Sequence, residues 1–139
     1  MAEDAFEKCF IMLCNKRTEK ECIGRGLFGD KKYRLEYMKE IRPGDIGFLL
    51  NITTNELIGK FKALSEAQID IVKEAWGGGF RAQVRVEPIG ELKRISEAAT
   101  LLAKHGISLI DLKSGALVPL IPVQSASIGR KLLECLGTK

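Results

Sequence analysis

The stretch DIGFLLNITTNELIGKFKAL, Asp45 to Leu64, decides the fold class of this 139-residue chain. DIGFLLN (Asp45 to Asn51) and LIGKFKAL (Leu57 to Leu64) are apolar runs of strand length. TTNE, Thr53 to Glu56, lies between them and is made of turn-forming residues. Two such runs with so short a polar link predict an antiparallel hairpin. Gly59 inside the second run predicts a bulge or sharp bend, a device that lets a sheet curl.

Working outward, RPGD (Arg42 to Asp45) predicts a type II turn, with Pro43 presetting φ and Gly44 taking positive φ. The spacing of Leu35, Tyr37, Met38 and Ile41 predicts one or two helical turns. CFIMLC, Cys9 to Cys14, is a continuous apolar run and predicts a buried strand. Thr18 to Glu21 matches a capping box for a short helix from about Glu19 to Ile23, stopped by Gly24 or Gly26. GLFGDKKY, Gly26 to Tyr33, has glycine on both sides of an apolar pair and predicts a turn. On the C-terminal side, Ser65 to Ala75 has weak helical spacing. FRAQVRVEP, Phe80 to Pro88, alternates: Phe80, Ala82, Val84 and Val86 on one face, Arg81, Gln83, Arg85 and Glu87 on the other. Ser96 is expected to cap a helix ending near His105, with Gly106 past its end. ISLIDL, Ile107 to Leu112, predicts a strand. LVPLIPV, Leu117 to Val123, carries two prolines and predicts an edge strand or extended segment. Ser125 or Ser127 is expected to cap a last helix through Leu136. Strands are not regularly followed by helices, which argues against a doubly wound parallel sheet. The expected fold is α+β: a small, partly open mixed β-barrel with three to four flanking helices.

Composition bounds the function. Length suits one domain, residues 1–139, and 45% apolar with 29% charged residues describes an ordinary soluble globule. No apolar run approaches the ~20 residues of a membrane span. The segment Met1 to Lys8 is acidic, which predicts no signal or transit peptide and a cytoplasmic location. Cys9, Cys14, Cys22 and Cys135 form no CxxC pair and the single histidine is His105, so no metal site and no cofactor are expected. Free buried thiols are the expected state of the cysteines, and His105 is expected to complement a helix dipole. With one histidine and no placeable carboxylate pair, an enzyme is not expected. AWGGGF leads into a strand, so its glycines are no phosphate cradle opening a helix.

Charge is uneven. Residues 15–42 hold nine Lys/Arg against five Asp/Glu, a local +4 equal to that of the whole chain. Rings interleaved with cations suit single-stranded nucleic acid, because rings stack bases and cations meet phosphates. Phe28, Tyr33 and Trp76 lie in or beside such segments. Phe28 and Trp76 equally suit the closing of a barrel core.

The motifs FIMLCNKRTEKECIGRGLFG (Phe10 to Gly29), IRPGDIGFLLN (Ile41 to Asn51), LIGKFKALSE (Leu57 to Glu66) and AWGGGFRAQVRV (Ala75 to Val86) occur in order. Together they resemble the DCD (development and cell death) domain over roughly Phe10 to Ile95. That domain is similar in plan to the PUA-like superfamily, which includes EVE, ASCH and YTH domains. YTH domains bind methylated adenine in RNA through an aromatic cage. By motif order, Phe28 falls where they carry a cage tryptophan, and Trp76 falls near another.

From the rings and cations together with the resemblance, the expected function is a non-enzymatic module that binds RNA, or a nucleotide-like ligand, through a modified or flipped base. Phe28 and Trp76 would stack the base, and Asn51 would meet its edge. Lys16, Arg17, Lys31, Lys32, Arg34, Arg81 and Arg85 would meet phosphates. The alternative is a protein-interaction or signalling module with a protein partner, in which the LFG segment is a structural anchor. No membrane is expected as a partner.

Overall fold

The structure, a computed structural model, describes residues 6–137. The acidic segment read from Met1 lies outside the described residues up to residue 5. In chain order the elements are β1 (Lys8–Cys14), α1 (Glu19–Arg25), β2 (Leu27–Asp30), a 3-10 segment (Lys32–Met38), β3 (Ile46–Asn51) and β4 (Glu56–Ala63). Then come β5 (Gln68–Ile69), a 3-10 turn (Ala75–Gly78), β6 (Ala82–Ser96), α2 (Ala98–Lys104), β7 (Leu109–Asp111), β8 (Leu117–Pro119), β9 (Val123–Ser125) and α3 (Ala126–Leu136).

The predicted hairpin is β3–β4, antiparallel, with Leu50 opposite Leu57. β1 adds to β3 in parallel, with Ile11 opposite Phe48. The sheet order is β2-β6-β4-β3-β1-β9, with β5 also on β6. β6 belongs to both halves of the curl, pairing β4 through residues 86–96 and β2 through residues 82–85. No hydrogen-bonded ladder joins β1 to β2 among the described residues, so the curled, mixed sheet stays partly open.

Both faces of β1, β3 and β4 are covered, which is why these strands read as continuous apolar runs and not as alternation. Cys9, Ile11, Phe48, Leu50 and Leu57 pack under α2 and α3 with Leu102, Leu132 and Leu136. Phe10, Met12, Leu49, Ile58 and Phe61 face the interior of the curl with Met38, Ile41 and Val84. Ile58 and Phe61 point to the same side although they are three apart. Against β3, Ile58 lies opposite Leu49 and Phe61 opposite Gly47, so β4 carries one extra residue there, which restores the alternation. Gly59 is small for a second reason: a Cβ there would lie 2.8 Å from the Phe48 ring.

Several local expectations change. The LFG segment is a strand, not a turn: β2 pairs with β6, Phe28 opposite Val84, and both Leu27 and Phe28 are fully buried. Gly26 acts earlier, ending α1 at φ 63. The Thr18 hydroxyl does not cap α1; Asn15 organises its entry, with Oδ1 accepting from the amides of Arg17 at 2.8 Å and Thr18 at 3.0 Å. Ser65 to Ala75 holds β5 and turns in place of a helix. Ser96 ends β6, and the amide of Ala99 in α2 donates instead to Asn55 Oδ1 of the β3–β4 turn at 3.0 Å. Ser125 caps α3 as expected, accepting from the amide of Ile128. Cys9, Cys14 and Cys22 are buried free thiols, whereas Cys135 is exposed. No helix among the described residues is long and apolar enough to cross a membrane.

Candidate nucleic-acid interface

A concave pocket of about 420 Å³ opens where β1 and β2 end and α1 begins. Its apolar part comes from Leu13, Cys14 and Ile52, and from Ile110 and Val118 of the β7–β8 hairpin. Its aromatic wall is Trp76 with Phe80 edge-on, ring centroids 5.7 Å apart, and Tyr33 stands at the mouth. Polar groups converge from three elements: Asn15, Thr18, and the Asp30–Lys31–Arg34 corner.

Trp76 is placed by backbone and packing together. It adopts φ 50, ψ 35, a left-handed conformation that costs a non-glycine residue roughly 1–3 kcal/mol. Its amide donates to Glu21 Oε2 of α1 at 2.7 Å, which offsets part of that cost. Gly77 and Gly78, both at positive φ, then let the chain turn toward β6. The indole lies on Gly29, where a Cβ would stand 2.5 Å from Cζ3 of the ring. Gly29 therefore serves the pocket by lacking a side chain. Among the described residues the buried indole N–H has no acceptor in hydrogen-bonding geometry. The nearby Cys22 thiol is pushed up to about 12 by burial, with the adjacent Trp76 side chain opposing that shift.

The structure separates the three residues expected to hold a base. Trp76 lines the pocket. Phe28 does not: its ring is fully buried between Phe61, edge-on at 4.9 Å, and Phe10 at 6.1 Å. It closes the interior of the curl, so a stacking role for Phe28 is corrected. Asn51 is corrected too. It is 2% exposed, its Nδ2 donates to Glu19 Oε1 at 2.8 Å, and its Oδ1 accepts from the amides of Thr53 and Thr54. Asn51 ties the hairpin turn to α1 and has no oxygen left over for a base edge.

The cations divide similarly. Lys31 and Arg34 line the pocket. Arg34 is shared with Asp30 at 3.3 Å and lies 4.7 Å over the Tyr37 ring. Lys16, Arg17, Lys32 and Arg85 are exposed and, like Lys31, form no ion pair among the described residues. Arg81 is committed to a bidentate pair with Asp70, at 3.0 and 2.7 Å, and its charge is largely neutralised there. Gln83, expected outside, is buried, its amide bonded to both backbone groups of Val72 and to the Phe80 carbonyl.

Asn15, Thr18, Gly29 and Asp30 escape a sequence reading because each looks like ordinary turn or cap chemistry. The position of Asn15, directly after an apolar strand, is the one usable signal. Its Oδ1 is spent on the turn, but its Nδ2 has no partner among the described residues. Thus one amide donor stands beside an indole wall together with the Asp30 carboxylate, which accepts from the Lys31 amide at 2.7 Å and Arg34 Nε at 3.3 Å and keeps lone pairs for a further donor. That set matches a planar heterocycle with polar edges. No cluster of three or more His, Cys, Asp or Glu able to hold a metal occurs among the described residues.

The partly open mixed half-barrel with flanking helices has the fold of solved YTH domains. The chain belongs to the development and cell death (DCD) domain family, whose model matches residues 8–104. It is 38% identical over 85 residues to the B2 protein of Daucus carota, covering 55% of this chain and 41% of that protein. The identity to the DCD domain-containing protein NRP-B of Glycine max is also 38% over 85 residues, covering 55% of this chain and 26% of that protein. The matches thus span less than half the length of these curated relatives.

Among solved structures, the YTH domain-containing protein mmi1 in complex with RNA superposes with TM-score 0.65 at 14% identity, covering 94% of this chain and 82% of that one. The Pho92 YTH domain in complex with m6A gives 0.64 at 14%, covering 96% and 85%. The YTH domain of Zygosaccharomyces rouxii MRB1 with N6-methyladenosine RNA gives 0.62 at 15%, covering 95% and 88%. At such identities the likeness establishes the fold.

Proposed function

We propose that this chain is a non-enzymatic RNA-binding module that works as one domain and seats one flipped base in the pocket walled by Trp76. The observation that carries the reading is that pocket: an indole wall held in a strained backbone, with Asn15, Thr18, Asp30, Lys31 and Arg34 also lining it. The base stacks on Trp76, and the amide of Asn15 and the carboxylate of Asp30 meet its edge. Lys31, Lys32, Arg34, Lys16 and Arg17 meet the phosphates, and Arg85 extends the track along β6. Arg81 contributes little because Asp70 holds it. RNA-bound YTH domains of the same fold support this class of ligand.

The test is a salt-titrated binding assay with single-stranded RNA, using matched strands with adenosine and N6-methylated adenosine. Affinity falls steeply with salt under this reading. Absence of binding at low salt overturns it. A difference between the strands reads out whether the pocket senses the methyl group.

A second reading, a protein-interaction module, is favoured by the exposure of Ile110, Leu117, Leu120 and Ile121 on and beyond the β7–β8 hairpin. It is separated from the first by Trp76→Ala, which removes RNA binding and leaves a hairpin-mediated protein contact intact.

A further inference from the structure

Cys135 and His105 are 30 residues apart in sequence, yet Sγ lies 3.6 Å from Nε2. Packing explains the encounter. His105 follows the last turn of α2, its amide bonded to the carbonyls of Leu101 and Leu102. Cys135 sits in the last turn of α3. Leu102 of α2 and Leu132 and Leu136 of α3 share one core cluster, which brings the two helix ends together. The sulfur is exposed and the imidazole half-buried, so the pair opens to solvent. Neither residue lines the proposed base pocket.

We infer that Cys135 is a thiol-modification site, with His105 as its base and a low-molecular-weight disulfide of the glutathione type as its reactant. With His105 neutral and its proton on Nδ1, Nε2 accepts the thiol proton. The sulfur then attacks one sulfur of the disulfide. A new S–S bond forms to Cys135, the original S–S bond breaks, and the departing thiolate takes the proton from the imidazolium. The balance is one thiol and one disulfide giving one mixed disulfide and one thiol, with no further oxidant.

The other three cysteines do not compete. Cys9, Cys14 and Cys22 are buried. Burial pushes the Cys9 thiol up to about 12 and raises that of Cys14 as well. The reaction therefore stops at the mixed disulfide instead of closing an internal bridge.

The experiment treats the full chain with glutathione disulfide under native conditions and follows mass and peptide map over time. One glutathione adduct, on Cys135, is expected, and none on Cys135→Ser. Placing a base at the sulfur is worth about a hundredfold or more in a well-aligned site, so His105→Ala is expected to slow the reaction by about tenfold at this longer distance. His105→Asn, which keeps a residue suited to a helix end, should slow it equally. In denaturant the wild type and both variants should react at one common rate. An unmodified Cys135, or equal native rates with and without His105, overturns the inference. If His105→Ala unfolds, adducts on the buried thiols reveal it, and His105→Asn then decides.

Discussion

Gly29→Ala is the smallest change that displaces the aromatic wall. An ideal Cβ there would lie 2.5 Å from Cζ3 and 2.8 Å from Cη2 of Trp76, and 3.2 Å from Cβ of Phe80. Carbons rest about 3.5–4.0 Å apart, so the indole has to move by roughly 1 Å. It has little room to do so, because Glu21 pins its amide and Phe80 stands against the ring. Overpacking of this kind costs about 1–3 kcal/mol, and the lower unfolded-state entropy of alanine returns about 0.4–1 kcal/mol. A net loss of ~1–2 kcal/mol lowers Tm by roughly 3–10 °C at this chain length. A stacked base is worth ~1–3 kcal/mol, so a misplaced indole should weaken RNA binding by about tenfold. The chain has one tryptophan, so emission reports on this wall alone. The assay pairs tryptophan emission with RNA titration, on wild type and variant. An unshifted emission maximum together with RNA affinity within about twofold of wild type would refute the placement of the indole and its role.

Phe28→Ala removes a ring packed against two others and should cost about 3–5 kcal/mol in a denaturant melt. A loss below about 1 kcal/mol would place the ring outside the core. Replacing Lys31 and Lys32 together by alanine should reduce the slope of log affinity against log salt by about 1.4, which is about 0.7 for each phosphate that a lysine no longer neutralises on a single strand. An unchanged slope removes these lysines from the interface. Glu19 is held below the ordinary carboxylate range, first by the hydrogen bond from Arg94 and further by Asn51. A depressed carboxylate stabilises the fold fully above the unfolded value of about 4.3, and that stability is lost as pH falls through the lower folded value. Arg94→Met should therefore flatten the acid limb of a Tm-against-pH curve, and an unaltered limb would assign acid unfolding to other groups.

Much of the fold is legible because its signals are local. The apolar runs of β1, β3 and β4, the turn chemistry around Gly44, the stop at Gly26 and the cap at Ser125 each act over a few residues. These local signals therefore specify their strands and helix ends without reference to tertiary partners. The cluster of cations in residues 15–42 is also plain in the sequence. Ambiguity begins where a local signal has two tertiary meanings. Gly26 and Gly29 around Leu27-Phe28 look like a turn. The first ends α1 and the second makes room for an indole 47 residues further on.

What sequence alone determined was the class of fold, the family motifs and the general place of the basic face. Which rings and amides line the pocket was decided by tertiary structure. Side-chain direction in a strand follows register, and register here depends on the slip after Gly59 and on the pairing of β2 with β6. Those pairings turn Phe28 into the core and commit Asn51 to α1. They leave Trp76, Asn15 and Asp30 at the pocket. The same physics brings Cys135 to His105, a contact between two helix ends that no local pattern encodes.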